Sequence, residues 1–500
     1  MEIKQLRKNT YVSLLNRIIT MASAIILPKL IIESYGSETN GLIQSITQFM
    51  NIITLLDLGV GSVIQSKLYE PLSYKNSYEL GKILLAARKF FKKIAIFLVL
   101  YVLFLLVIYP LYFARNYNSI EVGLLIMSIA SALFGQYYFG IVNELLLNAD
   151  RKSYIQNSTE IITIILNLII GVLVIKLGFS VVVFKFSSSL VFLLRPILLN
   201  YYVKTHYNIQ NKVALSEDPI PEKWDGMAQH IAYTIQNTID IVAITMFLNL
   251  NWVSVYSIYN MIIMAIKSVI TILVVELKSF VGKAYVNERL NIFRKKIEFF
   301  EWFIYLVSIF LFSMVCILLI PFINLYTQKL DDINYIYPFF GIFFTITHSL
   351  VGIKSFYQSV IFAAGHFKQT RNNAILESII NIIISISFIK FIGIESLVLG
   401  SFIALSFRIL YLNFYLTRNI LFRPIKVFFK QLIVLLVSYS SNLFIGNIFL
   451  SFITITSYKR WIFSAISLSM FLIINLIIIN RIFYFNHLKL LLNHLKIKKD

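Results

Sequence analysis

Apolar residues in this chain do not alternate with polar ones at a short period. They run almost unbroken for about twenty residues at a time, and short polar stretches rich in lysine separate the runs. Runs of that length match the hydrocarbon thickness of a bilayer when coiled as a helix. Lipid offers no partner to a free backbone N–H or C=O, so each run closes its own hydrogen bonds as an α-helix. The pattern predicts an all-α polytopic membrane protein with about fourteen transmembrane helices. They fall near 11–32, 41–63, 94–113, 119–143, 156–175, 180–203, 227–248, 252–276, 302–325, 336–363, 374–389, 394–417, 427–450 and 461–480.

Composition agrees: 58% of residues are hydrophobic, 14% are charged and the mean hydropathy is +0.78. A soluble domain carries about a quarter charged residues. The net charge of +21 suggests nucleic acid until the lysines and arginines are placed. Of the 45, 32 fall in segments on the side of the N-terminus, 6 on the other side and 7 inside spans. That asymmetry is a topology signal, so both termini are expected in the cytoplasm and no nucleic-acid partner is expected. No cleavable signal peptide is expected, because Lys4, Arg7 and Lys8 precede an apolar stretch that lacks a small-residue cleavage site. The single cysteine, Cys316, excludes an intramolecular disulfide and reads as a buried hydrophobe.

The two halves of the chain resemble each other. NADRKSYIQNSTEIITIILNLII (Asn148 to Ile170) and AGHFKQTRNNAILESIINIIISI (Ala364 to Ile386) each place a short polar loop before a Glu and an apolar span rich in Ile and Asn. Glu160 and Glu377 are 217 residues apart, Lys176 and Lys390 are 214 apart, and Arg195 and Arg408 are 213 apart. A duplicated unit accounts for this, and parallel repeats of helices are the material of rocking transporters. The expected plan is a six-helix lobe over 1–212, a cytoplasmic linker over 213–226 and a second six-helix lobe over 227–425. An additional helix pair over 426–482 and a basic amphipathic tail over 483–500 follow. The linker is read from SEDPIPEKWDG (Ser216 to Gly226), which breaks helices with two prolines, and the tail is expected to lie along anionic lipid.

Enzymatic function is not expected. The loops on the less basic side are all short, leaving no room for an external catalytic domain. The longer loops, 64–93, 204–226 and 277–301, contain no GxGxxG, P-loop, HExxH or Cys/His cluster, so neither an ATPase nor a metal site is expected. Candidate chemistry lies instead in charges within the spans, each costly unless it faces protein or water. Arg17, Lys267 and Lys354 sit several residues inside three different spans with no acid three or four residues away. Such cations call for a wet cavity or an anion, and pyrophosphate is the obvious one. Asp240, mid-span, either neutralises one of these bases or binds a coupling H⁺ or Na⁺; Asp57 is a second intramembrane acid. Arg408 and its counterpart Arg195 are read as ties within each lobe to Glu377 and Glu160, with cargo binding as the other reading. Of the six histidines, His230 and His348 lie singly in helices and read as packed or cavity-lining.

Three stretches carry a family resemblance: YGSETNGLIQ (Tyr35 to Gln44), LLDLGVGSVIQS (Leu55 to Ser66) and LLNADRKSYIQ (Leu146 to Gln156). With the length and the repeat, the chain resembles the polysaccharide transporter family. These are the Wzx-type flippases of the multidrug/oligosaccharidyl-lipid/polysaccharide (MOP) exporter superfamily. The resemblance implies two lobes around a cavity walled by helices 1, 2, 7 and 8. It also implies alternating-access transfer of undecaprenyl-pyrophosphate-linked oligosaccharide across the bacterial cytoplasmic membrane, for surface polysaccharide synthesis. A glycan polymerase and assembly proteins are the implied partners besides membrane lipids, and no cofactor is implied beyond the coupling ion. Residue by residue, Arg17, Asp57, Asp240 and Lys267 fall on cavity-wall helices, with Lys354 and Arg408 as further substrate-binding candidates. The additional helix pair resembles the lipid II flippase branch, so flipping of lipid II or a teichoic-type precursor is an alternative. A cation-coupled multidrug exporter of the same fold is another, although its cavity should be acidic. A membrane enzyme of glycan assembly is disfavoured by the short loops and the repeat.

Overall fold

The structure is a computed structural model that describes residues 2–57, 59–209 and 227–496. Among them all regular structure is helical. The first part of the chain runs α1 (Glu2–Tyr35), α2 (Ser37–Asn51), α3 (Val60–Ser73), α4 (Ser77–Tyr112), α5 (Ser119–Gly135), α6 (Ile141–Ala149), α7 (Ser153–Lys176), α8 (Val181–His206) and α9 (Met227–Phe247). It continues with α10 (Leu250–Asn287), α11 (Leu290–Thr327), α12 (Pro338–Ala363), α13 (Arg371–Ile392), α14 (Glu395–Leu416), α15 (Lys426–Phe452), α16 (Tyr458–Phe483) and α17 (Phe485–Lys496). Single π turns, Gln136–Gly140 and Thr417–Leu421, follow α5 and α14.

Twelve candidate spans among the described residues are long and apolar enough to cross a membrane. The run α2–α3, bent by 49° at a short break, makes a thirteenth, and α9 supplies a shorter apolar segment, Thr238–Phe247. Each of the fourteen predicted spans therefore falls on a helix or a bent helix run. The expected linker, 213–226, and the last residues of the tail, 497–500, lie outside the described residues. The chain divides into two compact units, Met1–Ser257 and Ile258–Asp500, so that α9 and the first turns of α10 group with the first unit.

In the first unit α1 packs on α7, α7 on α8, and α5 on both α4 and α8. Leu42, Ile46, Met50, Leu84, Phe91, Leu98, Leu125 and Ile126 form its core, closed at one end by the rings of Phe49, Tyr109 and Phe113. In the second unit α13 and α12 pack on α14, and the pair α15–α16 packs on α11 through Ile317, Leu318, Leu468 and Leu472. Asn442 Nδ2 donates to Ser313 Oγ at 3.0 Å, a polar tie between α15 and α11 of the kind that holds helices together where lipid gives no hydrophobic drive.

The duplication is visible in the backbone. The turn between α7 and α8 passes through Gly178 at φ 73°, and that between α13 and α14 through Gly393 at φ 64°. Both are left-handed positions where glycine is unstrained, 215 residues apart, the repeat offset read from the charges.

Gly41 has a different reason. A Cβ built on it would lie 1.8 Å from the backbone oxygen of Leu250, so only glycine lets α2 approach the start of α10. Hydrogen bonds flank the crossing: Asn40 Nδ2 donates to Ser254 Oγ at 2.8 Å, Tyr109 donates to Ser45 at 2.6 Å, and Ser45 pairs with Thr245 at 2.7 Å. Two residues of the YGSETNGLIQ motif are thus explained by close helix packing. Gly41→Ala must displace backbone, and we expect a loss of about 1–3 kcal/mol. Thermal unfolding of the detergent-solubilised protein checks this, with Gly61→Ala as a control that moves the midpoint little. The Cβ added at Gly61 meets only the Leu145 side chain, at 3.5 Å.

Candidate functional site

On α1, Asn16 and Ser13 face α7: Asn16 Nδ2 donates to Asn157 Oδ1 at 3.3 Å, and Asn157 Nδ2 to Ser13 Oγ at 2.7 Å. These bonds set the rotation of the helix. Arg17, about 100° further round, is exposed. Asp57 closes the 3₁₀ turn Ile52–Asp57 before the bend and accepts from Tyr137 Oη at 3.1 Å. Asp240 on α9 is buried and accepts from Tyr256 Oη on α10 at 2.6 Å. Both acids are therefore held by tyrosines of their own unit.

In the second unit Lys267 is half-buried on α10. Its charge and that of Lys354 act on His348 of α12, whose ring stands edge-on to Phe344 at 4.4 Å. Lys354 is not left to find an anion in a cavity. Glu377 on α13 supplies one, at 3.0 Å from Nζ. The other Glu377 oxygen is 3.5 Å from Arg408 Nε on α14. Arg408 Nη1 also donates to Asn373 Oδ1 at 2.6 Å and to Thr370 O at 3.0 Å, and the side chain is 1% exposed. Screening for acids three or four residues away missed this partner because it comes from a neighbouring helix.

The first unit repeats the arrangement. Arg195 on α8 reaches Glu144 at 3.0 Å and Glu160 at 3.4 Å. Removing two charges from water is costly unless they meet and their remaining atoms are bonded; here one arginine serves as the tie between helices in each unit. Of the four cations singled out in the sequence, the structure brings Lys354 and Arg408 together on one carboxylate. Arg17 is exposed, and Lys267 is half-buried.

A second buried ion pair escaped the sequence reading. Glu301 on α11 and Arg423 form a two-pronged contact at 2.6 and 2.9 Å, and both side chains are almost completely buried. Tyr357 donates to Glu301 at 2.7 Å and is itself paired with Tyr305 at 2.9 Å. The local backbone aims Arg423 inward: the π turn Thr417–Leu421 ends α14, Phe422 takes a left-handed φ of 47°, and Arg423 N returns to Thr417 O at 3.2 Å. Pro424 cannot continue α14, and the next helix, α15, starts two residues later. Burial disfavours the Arg423 charge, but the Glu301 carboxylate outweighs it and holds the guanidinium above its ordinary pKa.

Beside this pair, α17 docks on α11. Tyr484 and Leu488 join Trp302, Val434 and Ile479 in a small core, and Trp302 Nε1 donates to Asn480 Oδ1 at 2.7 Å. His487 stacks on Phe299, with ring centroids 6.1 Å apart and planes within 6°. Burial, then the Lys430 charge, lowers its pKa, with Glu301 opposing. The expected amphipathic tail is thus partly a docked helix.

Among the described residues no three His, Cys, Asp or Glu side chains gather as a metal site. No family model matches the chain, and no curated protein does. Solved structures do match, and the fold is similar to that of a lipid II flippase and of MATE transporters. In particular, the chain is similar to a structure of lipid II flippase MurJ in an inward closed conformation. The TM-score is 0.69 at 18% identity, over 95% of this chain and 98% of that one. The MATE multidrug transporter DinF-BH matches with a TM-score of 0.59 at 14% identity, over 85% and 96%. An inward-facing MATE family transporter of the MOP superfamily matches with a TM-score of 0.56 at 12% identity, over 80% and 95%. With twelve helices long and apolar enough to cross a membrane among its described residues, the protein is a multi-pass membrane protein of this fold.

Proposed function

We propose that this protein is a flippase that carries undecaprenyl-pyrophosphate-linked oligosaccharide across the bacterial cytoplasmic membrane by alternating access, with both termini in the cytoplasm and no chemical step of its own. The observation that carries the reading is the sign of the charges placed in the spans. Arg17 lies exposed on α1 and Lys267 half-buried on α10, and the acids Asp57 and Asp240 each accept a hydrogen bond from a tyrosine, Tyr137 and Tyr256. Basic residues within the spans suit a pyrophosphate and repel the cationic drugs that acidic ones would take. In this reading Arg17 and Lys267 grip the pyrophosphate. Lys354 and Arg408, tied to Glu377, hold the helices that present Lys267's surroundings. Asp240, with Asp57, balances charge or binds the coupling H⁺ or Na⁺. The isoprenoid tail stays in lipid throughout, so only the polar head needs a path.

A second reading has its own support. The match to the lipid II flippase extends over 95% of the chain, against 80% and 85% for the two MATE transporters described above. That favours a lipid II or teichoic-type precursor as cargo over a drug. The test is transfer in proteoliposomes of three labelled probes: an undecaprenyl-pyrophosphate oligosaccharide, lipid II and a cationic dye. Transfer of the oligosaccharide probe at several times the rate of lipid II supports the first reading, and the reverse order supports the second. Transfer of the dye alone overturns both.

A further inference from the structure

One cavity has none of the cations or acids assigned to the cargo among its lining residues. It has a volume of about 490 Å³ and is walled by Phe280 of α10, by Ile292, Phe299 and Phe300 of α11 and by Leu490 of α17, with Lys295 and Lys296 among its lining residues. Phe280, Ile292 and Leu490 are each about half exposed, so the apolar floor is open from outside. We infer that this pocket is a binding site for one anionic glycerophospholipid, whose phosphate sits on Lys295 and Lys296 while its upper acyl chain lies on the phenyl rings.

Three observations argue for that occupant. The first is depth. Phe280 lies four residues beyond the apolar span 252–276, and Ile292 to Phe300 precede the span 302–325. At 1.5 Å per residue its lining residues on α10 and α11 sit about 3 to 15 Å beyond the span ends, at the level of headgroups and glycerol. The bulk acyl region does not cover it, and a water-filled pocket lined by three phenyl rings is unfavourable. The second is charge. Lys296 is paired with Glu288 and lies over the Phe280 ring at 5.4 Å, whereas Lys295 is exposed, so one positive charge remains uncompensated. An anionic headgroup completes the balance and a zwitterionic one does not. The third is the wall. The helix α17 is amphipathic and docked through Tyr484, His487 and Leu488, which leaves Leu490 facing the pocket rim. A lipid there joins α10, α11 and α17. None of this depends on which cargo is carried.

The full-length protein, released from membranes in mild detergent and examined by native mass spectrometry, tests the inference. The probes are phosphatidylglycerol and phosphatidylcholine with identical acyl chains. One bound phosphatidylglycerol is expected, retained about fivefold over phosphatidylcholine, the factor one uncompensated lysine at a membrane surface provides. Lys295→Gln removes most of that preference while keeping the Lys296–Glu288 pair, and Ile292→Asn lowers retention of both lipids. The control pair Lys67→Gln/Lys75→Gln, in the first unit, leaves retention unchanged. Equal retention of the two lipids overturns the inference, as does a loss in the control equal to that in Lys295→Gln. Displacement of the lipid by inorganic phosphate alone, or preferential retention of undecaprenyl phosphate, overturns it too.

Discussion

Glu301→Ala is expected to be the most destructive single substitution in the second unit. It removes the carboxylate paired with Arg423 and leaves a guanidinium that is 1% exposed. Arginine does not escape by losing its proton, since its pKa lies above about 12. Deleting one partner of a buried pair costs about 3–5 kcal/mol. One further bond goes with it, because Tyr357 loses its acceptor and is left bonded to Tyr305 alone. Arg423→Met is expected to be milder: the Glu301 carboxyl left behind can take up a proton and keep its bond to Tyr357. The double variant Glu301→Leu/Arg423→Met should recover much of the loss, since a well-packed apolar pair often replaces a buried ion pair at little cost. Size-exclusion profiles and thermal unfolding of the solubilised proteins check the order, from Glu301→Ala as the worst to the double variant nearest wild type. If Glu301→Ala melted within a degree or two of wild type, the pair would not be holding the unit together.

The reason this pair was invisible in the sequence is physical. Its members are 122 residues apart, and each sits just outside an apolar run, where an isolated charge looks like an ordinary topology signal. Nothing local marks Glu301 except its neighbours Phe300 and Trp302, and nothing marks Arg423 except the proline after it. The spans themselves were legible because lipid imposes their length and composition one segment at a time. The ties at Arg195 and Arg408 were legible because duplication wrote each of them twice. Lys354 was half legible: its cost in the bilayer was plain, but its partner Glu377 comes from another helix. Breaks such as the 49° bend between α2 and α3 were not predicted, since an apolar run reads the same whether the helix through it is straight or bent.

Arg17→Gln combined with Lys267→Gln is expected to abolish cargo transfer with the protein still present in the membrane at its normal level. Cations inside spans cost roughly 2.5–3.5 kcal/mol each at mid-depth on insertion scales, so their removal does not threaten insertion. Arg17 is exposed and Lys267 is half-buried, so neither change opens a void in a packed core. On the proposed reading, what is lost is the contact with an anionic cargo. A hydrogen bond to a charged group contributes about 1.5–3 kcal/mol, and two of them together correspond to a hundredfold or more in binding. Each single variant should therefore transfer the oligosaccharide probe slowly, and the double variant should not transfer it measurably. Arg408→Gln is the informative contrast. It removes a side chain bonded to Glu377, Asn373 and Thr370, so it should lower abundance and melting temperature together with transfer. Measuring transfer per molecule of folded protein separates the two cases. A double variant that moves the probe at the wild-type rate would place the pyrophosphate grip elsewhere in the chain.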